Sequence, residues 1–134
     1  MIARPALSMN SDRPVNLPLP SLFLNMPVTA VTSILHRLSG VALFLGVIYV
    51  FYLAELALES AAGFDEAARI VATPLGKLGL WIVLAALAFH FLAGIRHLLL
   101  DFHVGDSLRG GQVGGWITFV LTLAAVIVAG AWLW

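Results

Sequence analysis

Two stretches of this chain set ionisable side chains among residues that are otherwise almost wholly apolar. The first reads Ser33-Ile34-Leu35-His36-Arg37-Leu38-Ser39-Gly40. On a helix, the i, i+3, i+4, i+7 spacing lays Ser33, His36, Arg37 and Gly40 along one stripe. A hydroxyl, an imidazole and a guanidinium so arranged can donate hydrogen bonds to a ligand and hold negative charge on its oxygens. Gly40 adds room for a flat ligand or a neighbouring helix to come close. Arg37 also admits a plainer reading, in which its long stem snorkels to lipid headgroups.

The second stretch runs Ala88-Phe89-His90-Phe91-Leu92-Ala93-Gly94-Ile95-Arg96-His97 and ends near Asp101. His90 falls deep within an apolar run. A neutral imidazole there has one donor and one acceptor to satisfy, and a metal can take the acceptor nitrogen while the other N–H bonds elsewhere. Haem iron is the natural metal, because the chain has no cysteine and no cluster of acids, and iron in porphyrin needs one axial nitrogen from each side. The plainer reading is a hydrogen bond from His90 to a neighbouring helix. Gly94, one turn on, leaves room for a planar ring. His97 shares much of the face of His90 closer to water, where a propionate, a quinone head or simple solvation would suit it. Arg96 and Asp101 are expected to pair near the boundary, with each other as a surface ion pair, with lipid or with a partner. Glu55 and Glu59 read as an exposed interfacial face, and His103 as a solvated loop residue.

These residues must be positioned by membrane-spanning helices. Of the 134 residues, 61% are hydrophobic and 10% charged, whereas a soluble domain carries about a quarter charged residues. Spanning the roughly 30 Å hydrocarbon core takes about 20 apolar residues, and three stretches suffice: 28–58, 75–100 and 116–134. Thr73-Pro74 supplies an N-cap and an N1 proline for the second. The third is expected to open after Gly110, Gly111, Gly114 and Gly115, with Trp116 and Trp134 as interfacial anchors. The connections from Ser60 to Thr73 and from Phe102 to Gly115 read as short polar loops. The fold class is thus an all-α integral membrane protein. It divides into an N-terminal cytoplasmic or interfacial segment, 1–27, and a transmembrane domain, 28–134.

Composition excludes several functions. Lys+Arg 7 against Asp+Glu 7 leaves no basic excess for nucleic acid. Without cysteine there is no disulfide, thiolate zinc site, iron–sulfur cluster or c-type haem attachment. The proline-broken start, with Pro5, Pro14, Pro18 and Pro20, does not read as a cleaved signal peptide. Arg4, Arg13, Arg37, Arg96 and Arg109 outnumber Arg69 and Lys77 on the other side, which puts the N-terminus in the cytoplasm and the C-terminus in the periplasm.

Three blocks together resemble the cytochrome b membrane-anchor subunits of bacterial succinate dehydrogenases: Arg13-Pro14-Val15-Asn16-Leu17, then Ser33 to Gly40, then His90 through Gly94-Ile95-Arg96-His97 to Asp101. The specific signal is S-x-x-H-R-x-S/T-G on one span paired with H-x-x-x-G-I-R-H on the next. The resemblance covers about 13–134, and the segment after Asp101 departs from the family pattern in placing His103.

The resemblance implies that the three helices form half of a haem-binding bundle. A second membrane-anchor subunit completes it and supplies the other axial histidine. It implies haem b on His90, with His36 and Arg37 near the propionates, and ubiquinone at Ser33 and Arg37. His97 and Asp101 would support the inner face. FAD and iron–sulfur clusters would reside in a flavoprotein and an iron–sulfur subunit docked on the cytoplasmic side of the inner membrane. The alternatives are a haemless anchor of the fumarate reductase type or a small transporter subunit. The latter would need the repeats and broken helices that this sequence lacks.

Overall fold

The computed structural model describes residues 26–134, which form four α-helices: α1 (Val28–Glu59), α2 (Ala61–Ala72), α3 (Pro74–Asp101) and α4 (Leu108–Leu133). Three of these, α1, α3 and α4, are long and apolar enough to cross a membrane. The Arg13 block, the interfacial reading of Leu17–Leu24 and the charges of Arg4 and Arg13 lie outside the described residues.

The chain enters α1 from Pro27, whose extended backbone precedes the helix and whose carbonyl accepts from Ala30 and Val31 N–H. At 32 residues α1 is about 48 Å long, more than the hydrocarbon core, so it must tilt or extend into the headgroup layer. The remaining three helices begin alike. Ser60, Thr73 and Ser107 each cap a helix by accepting, at 3.0 Å, the N–H of a glycine three residues on: Gly63, Gly76 and Gly110. Those glycines sit where the preceding chain passes so closely that a Cβ would collide with the carbonyl of Leu56, Ile70 or Gly105. Cap and glycine together make the corners tight.

Two expectations are corrected here. The stretch 60–73 is not a loop but contains the twelve-residue α2, which lays Gly63 and Ala67 against the bundle and turns Asp65 and Arg69 outward. Its Ser60 cap and its helical amphipathic pattern, with Gly63 and Ala67 on one face and Asp65 and Arg69 exposed, drive it. Arg69 makes a two-pronged ion pair with Glu66, through Nε to Oε2 at 2.8 Å and Nη2 to Oε1 at 2.6 Å. The third span, moreover, opens eight residues before Trp116, at Leu108, so the glycine cluster lies within it. Glycine is a poor helix former in isolation, but these positions are contact surface. A Cβ on Gly115 would stand 2.7 Å from Val28 Cγ1, and one on Gly111 3.3 Å from Thr29 Cγ2. Small residues let membrane helices approach to the backbone.

The connection between α3 and α4 is therefore only 102–107. His103 closes α3 in the left-handed conformation, φ 62, while its N–H donates to Leu100 O and that of Val104 to Leu99 O. This is a Schellman cap carrying histidine where glycine is usual.

Helix α3 lies between α1 and α4 and packs extensively on both. Its buried residues are Gly76, Phe89, Ala93 and Arg96. The core is small: Thr32 and Ala93 are wholly buried, Thr118 nearly so. The threonine hydroxyls are satisfied by their own helices, Thr32 donating to Val28 O at 2.8 Å and Thr118 to Gly114 O at 2.9 Å. Further out, Trp81 Nε1 donates to Val126 O at 3.0 Å and stands edge-on to Trp134. Most large side chains, such as Phe44, Phe51 and Val120, face outward, as they must where lipid or other apolar helices are the surroundings.

Candidate functional site

Helices α1 and α3 bring three histidines together. His36 lies in the middle, its ring centroid 4.3 Å from that of His90 and 5.1 Å from that of His97, tilted by 30° and 36°. Of the two glycines, Gly40 makes room for His90 itself, since an added Cβ would stand 3.2 Å from His90 Cε1. Gly94 faces His36, with its Cβ position 3.8 Å from Nε2. The space expected for a planar ligand ring is thus filled by the imidazoles of the facing helices.

His90 is held through one nitrogen. Its Nδ1 lies 3.0 Å from Ser39 Oγ and 3.2 Å from the backbone carbonyl of His36, and Ser39 Oγ donates to that same carbonyl at 2.7 Å. Ser39 is buried. No residue among those described hydrogen-bonds His90 Nε2. The Nε2 of His36 is buried without a partner among the described residues.

The stripe on α1 divides when packed. His36 and Gly40 turn to α3, Ser33 is half-buried, and Arg37, one position further round, is exposed. Arg37 and Ser33 make no side-chain hydrogen bond among the described residues. His97 is half-buried beside His36, and Asp101 is exposed at the end of α3. His103 is exposed, as expected, but held in its cap.

Arg96 corrects another expectation, because it forms no surface ion pair with Asp101. It is 8% exposed, turned to α4, and donates from Nη2 to Gly111 O at 3.1 Å; its Nε is buried without a partner among the described residues. Gly114 gives it room, a Cβ there standing 3.4 Å from Nε. Ser39 is the site residue that the sequence pattern did not single out. Its signal was position, one turn from His36 within the same polar block.

An all-helical, multi-pass membrane subunit with a mid-span imidazole engaged at Nδ1 is the class that fold and site define. The sequence model of the succinate dehydrogenase/fumarate reductase transmembrane subunit family matches residues 9–129. The chain belongs to that family. It is 39% identical over 127 residues to the succinate dehydrogenase cytochrome b556 subunit of Coxiella burnetii, covering 94% of this chain and 100% of that one. It is 36% identical over 110 residues to the subunit of the same description from Paracoccus denitrificans, covering 77% and 85%. With that of Rickettsia typhi it shares 33% over 97 residues, covering 72% and 74%.

Proposed function

We propose that this chain is the cytochrome b membrane anchor of a bacterial succinate:ubiquinone oxidoreductase, helping to bind one haem b and forming part of the ubiquinone-reduction site. One observation carries the proposal: His90 lies in mid-span with Nδ1 engaged by Ser39 and the His36 carbonyl. Axial ligation of haem iron needs an imidazole oriented through one nitrogen and open at the other. An imidazole donor with no thiolate in the chain, and no acidic metal cluster among the described residues, suits porphyrin iron better than zinc or calcium. The names of the cytochrome b556 relatives support the same reading.

In this reading His90 would hold haem b from this chain, and a second anchor subunit would supply another histidine to it. Haem b, when bound, supplies a one-electron store beside the quinone. His36 and Arg37 would meet the haem propionates. Ser33 donates a hydrogen bond from its hydroxyl to a quinone carbonyl, and the Arg37 guanidinium balances the negative charge that builds on the quinone oxygen as electrons arrive, an effect strengthened by the low dielectric. The exposure of Arg37 supports this, because its donors are left available to a ligand outside this chain's own packing. His97 and Asp101 hold the inner face. The chain has no cysteine for a cluster, so electrons reach the site from an iron–sulfur subunit, fed by a flavoprotein carrying FAD. The complex sits in the bacterial inner membrane, with this chain's N-terminus cytoplasmic and its C-terminus periplasmic.

Purification of the tagged chain from membranes tests the assembly. The flavoprotein, the iron–sulfur protein, a second small anchor and haem b should come with it; recovery without the redox subunits would overturn the reading. In that complex, Ser33→Ala should raise the KM for quinone while leaving succinate oxidation by a soluble dye intact. Unaltered quinone kinetics would remove Ser33 from the site.

A further inference from the structure

We infer that Ser39 is a positioning residue for the haem: its hydroxyl, together with the His36 carbonyl, holds His90 in the tautomer that carries the proton on Nδ1 and so presents the Nε2 lone pair to iron. The inference rests on the assignment of His90 as the axial ligand and adds what holds that ligand in register.

The argument is one of donors and acceptors. The His36 carbonyl can only accept. Ser39 Oγ, 2.7 Å from that carbonyl, spends its proton on it, and so meets His90 Nδ1, 3.0 Å away, as an acceptor. Nδ1 therefore faces two acceptors, the hydroxyl oxygen and the same carbonyl at 3.2 Å. A protonated Nδ1 satisfies both. The opposite tautomer would set the Nδ1 lone pair against the carbonyl oxygen and draw the serine proton off its shorter bond. The network of acceptors thus selects the tautomer.

The two contacts come from α1 onto a ring carried by α3, so they also set the ring's rotation, and Gly40 permits the approach by presenting no Cβ to Cε1. A hydrogen bond from the far N–H makes an imidazole a stronger metal donor, and loss of such a partner typically costs about 10- to 100-fold in metal affinity or activity.

Thr and Val have the same shape but only Thr keeps the hydroxyl, so Ser39→Thr and Ser39→Val in the purified complex separate hydrogen bonding from packing. The readouts are haem content per flavin and the haem midpoint potential by redox titration of the absorbance. Ser39→Thr should match the wild type. Ser39→Val should raise the potential, because a weaker donor stabilises ferric iron less, and should weaken haem retention by about 10- to 100-fold. Equal shifts in both variants would show a packing effect and overturn the inference, as would no shift in either. If Ser39→Val does not assemble, Ser39→Ala is read against Ser39→Thr by the same criteria. His90→Leu runs beside them: persistence of its haem spectrum refutes the ligand assignment, whereas its loss together with a silent Ser39→Val refutes only the role of Ser39.

Discussion

Replacing Gly40 by alanine probes the seat of His90 directly. A methyl at Gly40 would lie 3.2 Å from His90 Cε1, against the 3.5–4.0 Å of a comfortable carbon contact, so the ring must retreat by roughly 0.3–0.8 Å. Its Nδ1 contacts, now 3.0 and 3.2 Å, would then lengthen toward the limit of useful hydrogen bonds. Overpacking of this kind costs about 1–3 kcal/mol, while glycine to alanine in a helix returns about 1 kcal/mol. The net is a loss of about 0–2 kcal/mol, concentrated on the haem ligand. Gly94→Ala is the control, since its methyl would meet His36 Nε2 at an ordinary 3.8 Å, and helix propensity alone should stabilise it by up to about 1 kcal/mol. Thermal unfolding of the purified complex, followed by the haem absorbance, reads both. Gly40→Ala should release haem at a lower temperature than wild type and Gly94→Ala should not. Equal damage from the two, or a silent Gly40→Ala, would refute the claim that the glycines are spaces for facing imidazoles.

Other outcomes follow from the same geometry. Arg96→Ala should lower the unfolding temperature by emptying the space between α3 and α4, with a cost of about 2–4 kcal/mol. Arg96→Met should recover most of it, because the guanidinium makes a single hydrogen bond among the described residues, to Gly111 O; a methionine variant as unstable as the alanine one would show that the charge itself is required. His103→Gly should stabilise the end of α3 by about 1–2 kcal/mol, since glycine takes the left-handed conformation without strain, and slower amide exchange of Val104 would register it. Hydrogen bonds from Arg69 hold the Glu66 carboxyl below its usual pKa range. The pair therefore supports α2 above that range and fades as pH falls through the lowered pKa. Arg69→Ala should return Glu66 to ordinary titration by NMR, and an unmoved titration would deny the coupling.

The three spans were legible because a bilayer demands about 20 apolar residues in a row and little else resembles that demand. Helix α2 was not, since Asp65, Glu66 and Arg69 lend it the composition of a loop. The glycine cluster was read by its weak propensity, whereas contacts with Val28, Thr29 and Arg96 decide its conformation. Arg96 and Asp101 are neighbours in sequence, yet five positions apart on a helix points them about 140° from each other, which is why one is buried and the other exposed. His90 stood out by depth alone. Ser39 did not, because a serine in a membrane helix also serves as a small packing residue, and its bond to an imidazole 51 positions away is a tertiary fact.

The central claim, that the mid-span imidazole of α3 is an iron ligand, is tested most directly by the optical spectrum of the complex purified with His90→Leu in place. Wild type should show a low-spin, bis-histidine b-type haem, and the variant should lose or alter that spectrum while flavin remains bound. A spectrum identical to wild type would contradict the account.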